Sequence, residues 1–423
     1  MKTKFFLLIL TGIFSRGLFA QPVAFLPEET PFEQVLKQAK SEQKIIMLDL
    51  YTDWCVWCKK LDQNVYQNAE IGKFSARLLN LKKNAEKGDG IEIAKKYRPT
   101  GYPCILFVDG AGEEIDRIGG YLEPDAFLQR LVKIYMGTDT YVSLKSQVEK
   151  HPDDVSVAFK LAEKYAARGD AAHARDLYRK ILKIDPNNQS GFNASVRFQL
   201  GNMAVQGNQL DEAEEHFTAI LANHPNFEGI SYVYRSLAWV YTTRQQPKKA
   251  VQLLEDGIQK LPAETGKDAL YYFLSMNYSL LGENQKSIDI LKNISKSEVD
   301  PFLIQTARAR SYFRMSEPEK GLEILAAEFE KVKTDPQKVN DIAWQCVEEK
   351  VTDARPIAWA ETAAGLSNRD PLILDTLAEL YALNRRLAEA IQTEEEALAK
   401  LTDSRYQSQF TEKIAAWKVR LTE

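Results

Sequence analysis

With 423 residues, 44% of them hydrophobic and 27% charged, the chain is too long for one ordinary core and too apolar for wholesale disorder, so two or three domains are expected. The formal net charge is −4, and loss of residues 1–20 would remove Lys2, Lys4 and Arg16 and no acid, taking it from −4 to −7. That balance excludes a nucleic-acid binder, which needs a basic face to neutralise phosphates.

Residues 1–20 have the pattern of a cleaved signal peptide. Lys2 and Lys4 make a positive start, Phe5 to Ile13 an apolar stretch, and Ala20 a small residue at the cut. An uncleaved anchor is the competing reading, but Thr11, Gly12, Ser15 and Arg16 interrupt the stretch well short of the ~20 residues that span a bilayer. No later segment is apolar enough to span one. The expectation is an exported chain with no membrane span in its mature form, periplasmic if the source is a Gram-negative bacterium.

From Pro31 to Gly137, helix and strand signals alternate. Pro31 to Ser41 is an amphipathic helix with Phe32, Val35, Leu36 and Ala39 on one stripe. Ile45 to Tyr51 is a continuous apolar run that suits a strand covered on both faces. A helix should begin near Cys55 and continue past Leu61, followed by a strand over Arg77 to Lys83 and a short helix over Ile91 to Tyr97. Cys104 to Val108 is a strand, turned by Asp109-Gly110-Ala111-Gly112 into an antiparallel return over Glu113 to Ile118, and Pro124 to Tyr135 is a closing helix. This order predicts an α/β domain with a mixed sheet over residues 22–138.

The four cysteines, Cys55, Cys58, Cys104 and Cys346, are too few for a disulfide-stapled scaffold, and two share one short motif. Trp54-Cys55-Val56-Trp57-Cys58-Lys59 follows a buried strand and opens a helix. Zinc wants four ligands, yet there is no second Cys-x-x-Cys or Cys-x-x-His pair, and His151, His173, His216 and His224 all lie beyond the α/β region at no ligand spacing. No metal and no other cofactor is expected. At a helix start, free N–H groups and the macrodipole favour a thiolate, so Cys55 should titrate below the ordinary ~8.5 and act as the nucleophile. It would attack a target disulfide, and Cys58, one turn later and more buried, would attack the Cys55 sulfur and release the reduced target.

Two runs, Leu48-Asp49-Leu50-Tyr51-Thr52-Asp53-Trp54-Cys55-Val56-Trp57-Cys58-Lys59 and Thr100-Gly101-Tyr102-Pro103-Cys104-Ile105-Leu106-Phe107-Val108-Asp109-Gly110, resemble the thioredoxin superfamily. They are specifically similar to the soluble C-terminal domain of bacterial transmembrane disulfide-interchange reductases, over roughly residues 30–135. The resemblance implies a supporting set around the cysteines. Asp49 corresponds to the buried acid that moves protons to and from the buried cysteine, Trp54 to the aromatic before the nucleophile, and Pro103 to a cis-proline whose loop pairs with substrate backbone. Trp57 adds bulk between the cysteines that restricts docking, and Lys59 either supports the site or is a solvated helix residue. Cys104 departs from the threonine or small residue usual after that proline, and is either a small apolar strand residue or a third thiol. The absence of histidine between the cysteines favours a reductant.

From Tyr141 onward strand signals stop and paired helices repeat. A small residue recurs at Ala162, Gly201, Ala238, Ser275, Ala309, Ala343 and Ala378, in steps of 34 to 39 residues. A second follows about twelve places on in most units, at Ala174, Ala213, Ala250, Ser287, Gly321 and Ala390. Small residues at that spacing let two helices cross closely, and the pattern resembles the tetratricopeptide repeat, which is all-α and stacks into a superhelix. About seven repeats are expected over residues 145–423, the sixth (336–369) irregular, with Ser404 to Leu421 as a capping helix. In such solenoids the first helix of each unit lines a concave groove that binds a peptide or protein. Counting positions projects Phe198, Tyr232, Arg235, Trp239, Tyr272, Met276, Arg310 and Phe313 towards it. Two function classes follow. One is a thiol–disulfide oxidoreductase acting on protein disulfides, fed by an upstream thiol–disulfide electron donor, with the repeats recruiting partners. The other is a binding scaffold whose thioredoxin fold is an adaptor with little turnover, and the presence of both cysteines favours the first.

Overall fold

The run beginning at Ile46 forms the central strand of a four-stranded mixed sheet in the computed structural model, which describes residues 22–262, 266–295 and 299–422; the expected signal peptide lies outside the described residues. Strand β1 (Ile46–Tyr51) pairs in parallel with β2 (Leu79–Asn84) and antiparallel with β3 (Cys104–Val108), and β3 pairs antiparallel with β4 (Glu114–Gly119), giving the order β2-β1-β3-β4. Both faces of β1 are covered, which is why it reads as an apolar run broken only by Asp49 rather than as an alternation. On one face Leu48, Leu50 and Leu106 pack against α1 (Phe32–Glu42), through Phe32, Val35 and Leu36, and against α4 (Gly90–Tyr97), through Ile93 and Tyr97. On the other, Met47, Ile105 and Phe107 meet Leu61, Val65 and Ile71, together with Phe127, Leu131 and Ile134 of α5 (Pro124–Tyr135).

Helix α2 (Val56–Lys60) runs directly into a π-helical turn, Leu61–Val65, which carries the chain past Leu61 as expected. Helix α3 (Ala69–Ser75) has no counterpart among the expected elements. Asn68 caps it by accepting from the N–H groups of Glu70 and Ile71 at 3.0 and 3.2 Å, but two turns are too short to display a period. Gly90 is needed where α4 starts against the end of β2, because a Cβ there would stand 1.9 Å from the Asn84 carbonyl oxygen.

The described residues divide into two compact units, with the boundary between Met203 and Ala204. The first contains the sheet together with α6 (Tyr141–Lys150), α7 (Val155–Ala167) and α8 (Ala171–Ile184), and α9 (Asn193–Gln206) begins in it. Ala158, Ala162 and Ala174 are buried between α7 and α8 beside Tyr178 and Ile181. The second unit opens with α10 (Leu210–Asn223) and continues as helix pairs. These are α11 (Ile230–Thr243) with α12 (Pro247–Lys260), α13 (Lys267–Leu280) with α14 (Asn284–Ile290), and α15 (Pro301–Arg314) with α16 (Pro318–Val332). Then come α17 (Pro336–Glu348) with α18 (Ala354–Leu366), α19 (Pro371–Leu383) with α20 (Leu387–Lys400), and α21 (Gln407–Thr422) at the end. The recurring small residues Ala238, Ala309, Ala343, Ala378 and Ala390 are fully buried, as close helix crossings require. At the Ser275 crossing the contact is polar, with Ser287 Oγ 2.8 Å from Ser275 Oγ and 2.9 Å from Ser311 Oγ. Among the described residues, no helix is long and apolar enough to cross a membrane.

Candidate active site

Cys55 ends the loop after β1 and caps α2, and Cys58 is the third residue of that helix. Their sulfurs form a disulfide with the Cα atoms 5.3 Å apart, and the Cys58 N–H donates to Cys55 Sγ at 3.0 Å. In the reduced protein a donor so placed favours negative charge on Cys55. Cys58 is the more buried of the two, but only narrowly, at 2% exposure against 4%. What stands in solvent is the rim, with Trp54 65%, Val56 73% and Trp57 55% exposed.

That rim is held from several elements. The Trp54 indole N–H donates to Glu86 Oε1 at 3.0 Å, and its ring meets Tyr102 edge-on at 6.1 Å. The Trp57 ring lies 5.7 Å from that of Tyr121, and Lys60 Nζ sits over both, 5.2 and 4.4 Å from their centroids. Lys59 is exposed; the cation that engages the rim is Lys60. The Tyr102–Pro103 peptide is cis, and the Pro103 carbonyl accepts from the Gly120 N–H at 2.8 Å. Cys104, one residue on, is buried in β3, and burial pushes its thiol up to about 11.

Asp49, in β1, is fully buried, and neither carboxylate oxygen has a hydrogen-bond partner. Burial pushes it up to about 6. The Lys82 ammonium, 3.6 Å from Oδ2, opposes that rise, and the Asp62 charge adds to it. Lys82 is the β2 residue registered against Asp49 and also pairs with Asp62. Tyr66, whose hydroxyl is likewise buried without a partner, is held well above its ordinary range by burial and by the Asp49 charge. Asp62 is 44% exposed, so Lys82 links a buried carboxyl to one at the surface. A group titrating near 6 can take up or release a proton close to neutral pH.

The residues assigned to the repeat groove fall into different settings. Tyr232 and Trp239 are 52% and 39% exposed, and the Arg235 guanidinium lies 4.8 Å from the centre of the Tyr232 ring. Tyr272 and Met276 are half-buried, and Tyr272 packs edge-on to Phe273 at 6.0 Å. Phe198 is half-buried on α9. Arg310 is engaged by Glu348 at 2.9 Å and Glu349 at 3.4 Å. Phe313 is a correction. It belongs to the core, where its ring fills the space over Gly321, and a Cβ at 321 would come within 2.3 Å of it. A cavity of about 620 Å³ that the sequence did not point to lies further on, among α17, α19 and α21, lined by Trp344, Leu372, Ile373 and Phe410 with Asp341 and Asn340.

The family model of a thioredoxin-like domain matches residues 32–135, and that of the tetratricopeptide repeat matches residues 165–237. Over 115 residues the chain is 37% identical to the "Thiol:disulfide interchange protein DsbD" of Yersinia pestis (strain Pestoides F), a match covering 26% of this chain and 18% of that protein. The chain therefore spans only a small part of the curated relatives it matches. A tetratricopeptide repeat protein from Parabacteroides merdae ATCC 43184 aligns with a TM-score of 0.47 and 13% identity, over 62% of this chain and 98% of its own. A thioredoxin from Thermus thermophilus aligns with a TM-score of 0.23 and 25% identity, over 25% of this chain and 83% of its own.

Proposed function

Since the chain joins a thioredoxin-like domain to tetratricopeptide repeats, we propose that it is an exported thiol–disulfide oxidoreductase that reduces disulfides in protein substrates. In this reading residues 22–138 carry the chemistry and residues 145–423 recruit partners, with Tyr232, Arg235 and Trp239 as the exposed candidates for contact. Export rests on the pattern of residues 1–20. The observation that carries the redox reading is the Cys55–Cys58 pair capping α2, with a backbone N–H aimed at Cys55 Sγ.

In the reduced protein, Cys55 thiolate attacks one sulfur of the target disulfide. The target S–S bond breaks, a mixed disulfide forms, and the first target thiolate leaves and takes a proton from solvent. Cys58 then loses its proton and attacks Cys55 Sγ. The mixed disulfide breaks, the second target thiolate leaves, and the Cys55–Cys58 bond forms, so both electrons come from the dithiol. The resemblance assigns the Cys58 proton to Asp49, and a buried carboxyl that titrates near 6 suits that role, with Lys82 and Asp62 as the charges that tune it. An upstream dithiol must then reduce the pair again.

The pre-reduced full chain should reduce the interchain disulfides of insulin, and Cys55→Ser should abolish this. An undiminished rate in Cys55→Ser would refute the assignment. A wild-type chain that reduces no faster than free dithiol would leave the adaptor reading instead.

A further inference from the structure

The end of helix α7 of the first repeat meets β4 through long charged side chains. Asp116 of β4, with no exposed surface, pairs with Lys164, with Arg130 at 3.2 Å and with Arg168 at 3.4 Å. Glu114 pairs with Arg117 at 2.5 Å and Arg168 at 2.6 Å. Beside them Asp139 is flanked by Lys133 at 3.5 Å and Lys160 at 3.0 Å. A cavity of about 440 Å³ opens at this junction, and Arg117, Arg130, Lys133, Lys160 and Lys164 all line it. The acids on its wall are Asp139 and Glu163.

Six cations (the five lining ones and Arg168) face four acids (Glu114, Asp116, Asp139 and Glu163), a surplus of two positive charges in a chain whose net charge is −4. A recess whose wall carries a net excess of one sign of charge concentrates the opposite sign. Neither half makes it alone, because Arg117, Arg130 and Lys133 come from the redox region and Lys160 and Lys164 from α7.

The recess also neighbours the cysteine site. Gly119 and Leu122 line it, while between them Gly120 donates to the Pro103 carbonyl and the Tyr121 ring contacts that of Trp57. One short segment therefore borders both places. On the same side Thr100 Oγ1 donates to the Ala167 carbonyl at 3.4 Å, joining the loop before Pro103 to the end of α7. A polypeptide docked at Cys55 along residues 119–122 would continue into the cationic recess.

We propose that this recess binds carboxylate side chains of an acidic segment in the protein whose disulfide is reduced at Cys55. The client identity rests on the redox reading; the binding of an acidic peptide does not. The test uses the oxidised full chain and two fluorescently labelled peptides without cysteine, one rich in Glu and one with Gln at the same positions. Anisotropy should show the Glu peptide binding about tenfold more tightly, a preference that weakens as salt is raised. Lys133→Gln with Lys160→Gln, both half-exposed and outside the cysteine site, should bring the two peptides within about twofold while leaving insulin reduction unchanged. The Glu sequence attached to a disulfide-bridged model peptide should raise kcat/KM about tenfold over its Gln version in the wild type only. Equal affinity for the two peptides in the wild type overturns the proposal, whether or not the double variant folds. So does displacement of the Glu peptide by low inorganic phosphate at fixed ionic strength with no gain in kcat/KM, which would make the recess a free-anion site. Failure of insulin reduction with the Glu preference intact would sink the redox reading and leave the recess.

Discussion

Replacing Asp49 by asparagine removes a buried carboxyl whose titration is pushed from an ordinary 3.8 up to about 6. Because the folded-state value is the higher one, the folded protein holds its proton more tightly than the unfolded chain. The anion therefore costs stability above the folded value, and the cost disappears as pH falls below the unfolded one. The gap between 3.8 and about 6 corresponds to about 3 kcal/mol when both states are ionised. The linkage relation gives the full figure at pH 7.5 and about 1 kcal/mol at pH 4.5. The substituted side chain still buries an amide that lacks partners, but that cost is the same at both pH values and cancels between them. Hydrogen exchange of β1 and β3 amides in the oxidised full chain reads the opening free energy of this sheet directly. Relative to wild type, Asp49→Asn should gain about 2 kcal/mol more at pH 7.5 than at pH 4.5. A difference that does not change with pH, or one that changes the other way, would refute the assignment of a raised titration to Asp49.

Cys58→Ser should accumulate mixed disulfides with substrate proteins through Cys55, while Cys55→Ser should not, as read by non-reducing electrophoresis and mass spectrometry; equal trapping by both would reverse or cancel the roles. Lys164→Met together with Arg168→Met leaves Asp116 buried with Arg130 alone, and should cost about 3 kcal/mol in thermal or urea unfolding of the sheet. A change close to zero would mean that the α7 contact contributes little. Glu394, a buried residue with neither oxygen hydrogen-bonded, is held far above the carboxylate range by burial and by the neighbouring Asp375 charge. The wild-type final repeats should lose stability as pH rises above the ordinary carboxylate range, and Glu394→Gln should flatten that slope in amide exchange of α19 and α20.

The cysteine pair, Asp49 and the proline now seen as cis were legible because each sits in a contiguous run whose local pattern is distinctive. The partners that shape their chemistry were not. Lys82 reaches Asp49 only through strand register, and Tyr121 reaches Trp57 only when the segment after β4 folds back. The expected strand over Arg77 to Lys83 begins two residues early, because the Arg77 and Leu78 N–H groups belong to the turn closing α3. In the repeats, small residues marked the helix crossings well, since no larger side chain fits there. The outward-facing set was less legible, as Phe313 shows. Position counting could not register that Gly321 leaves room for that ring. The α7–β4 contact was invisible for a related reason: Asp116, Lys164 and Arg168 are charged and distant in sequence, and such residues read as solvated until tertiary structure buries them.

Whether the chain donates or withdraws electrons is read from the equilibrium potential of the Cys55–Cys58 pair, measured in the full chain against glutathione or dithiothreitol buffers. A protein that reduces client disulfides should lie near the ~−270 mV of thioredoxin, and a value close to ~−120 mV, where the reduced form is strongly favoured, would make it an oxidant and contradict the proposed direction.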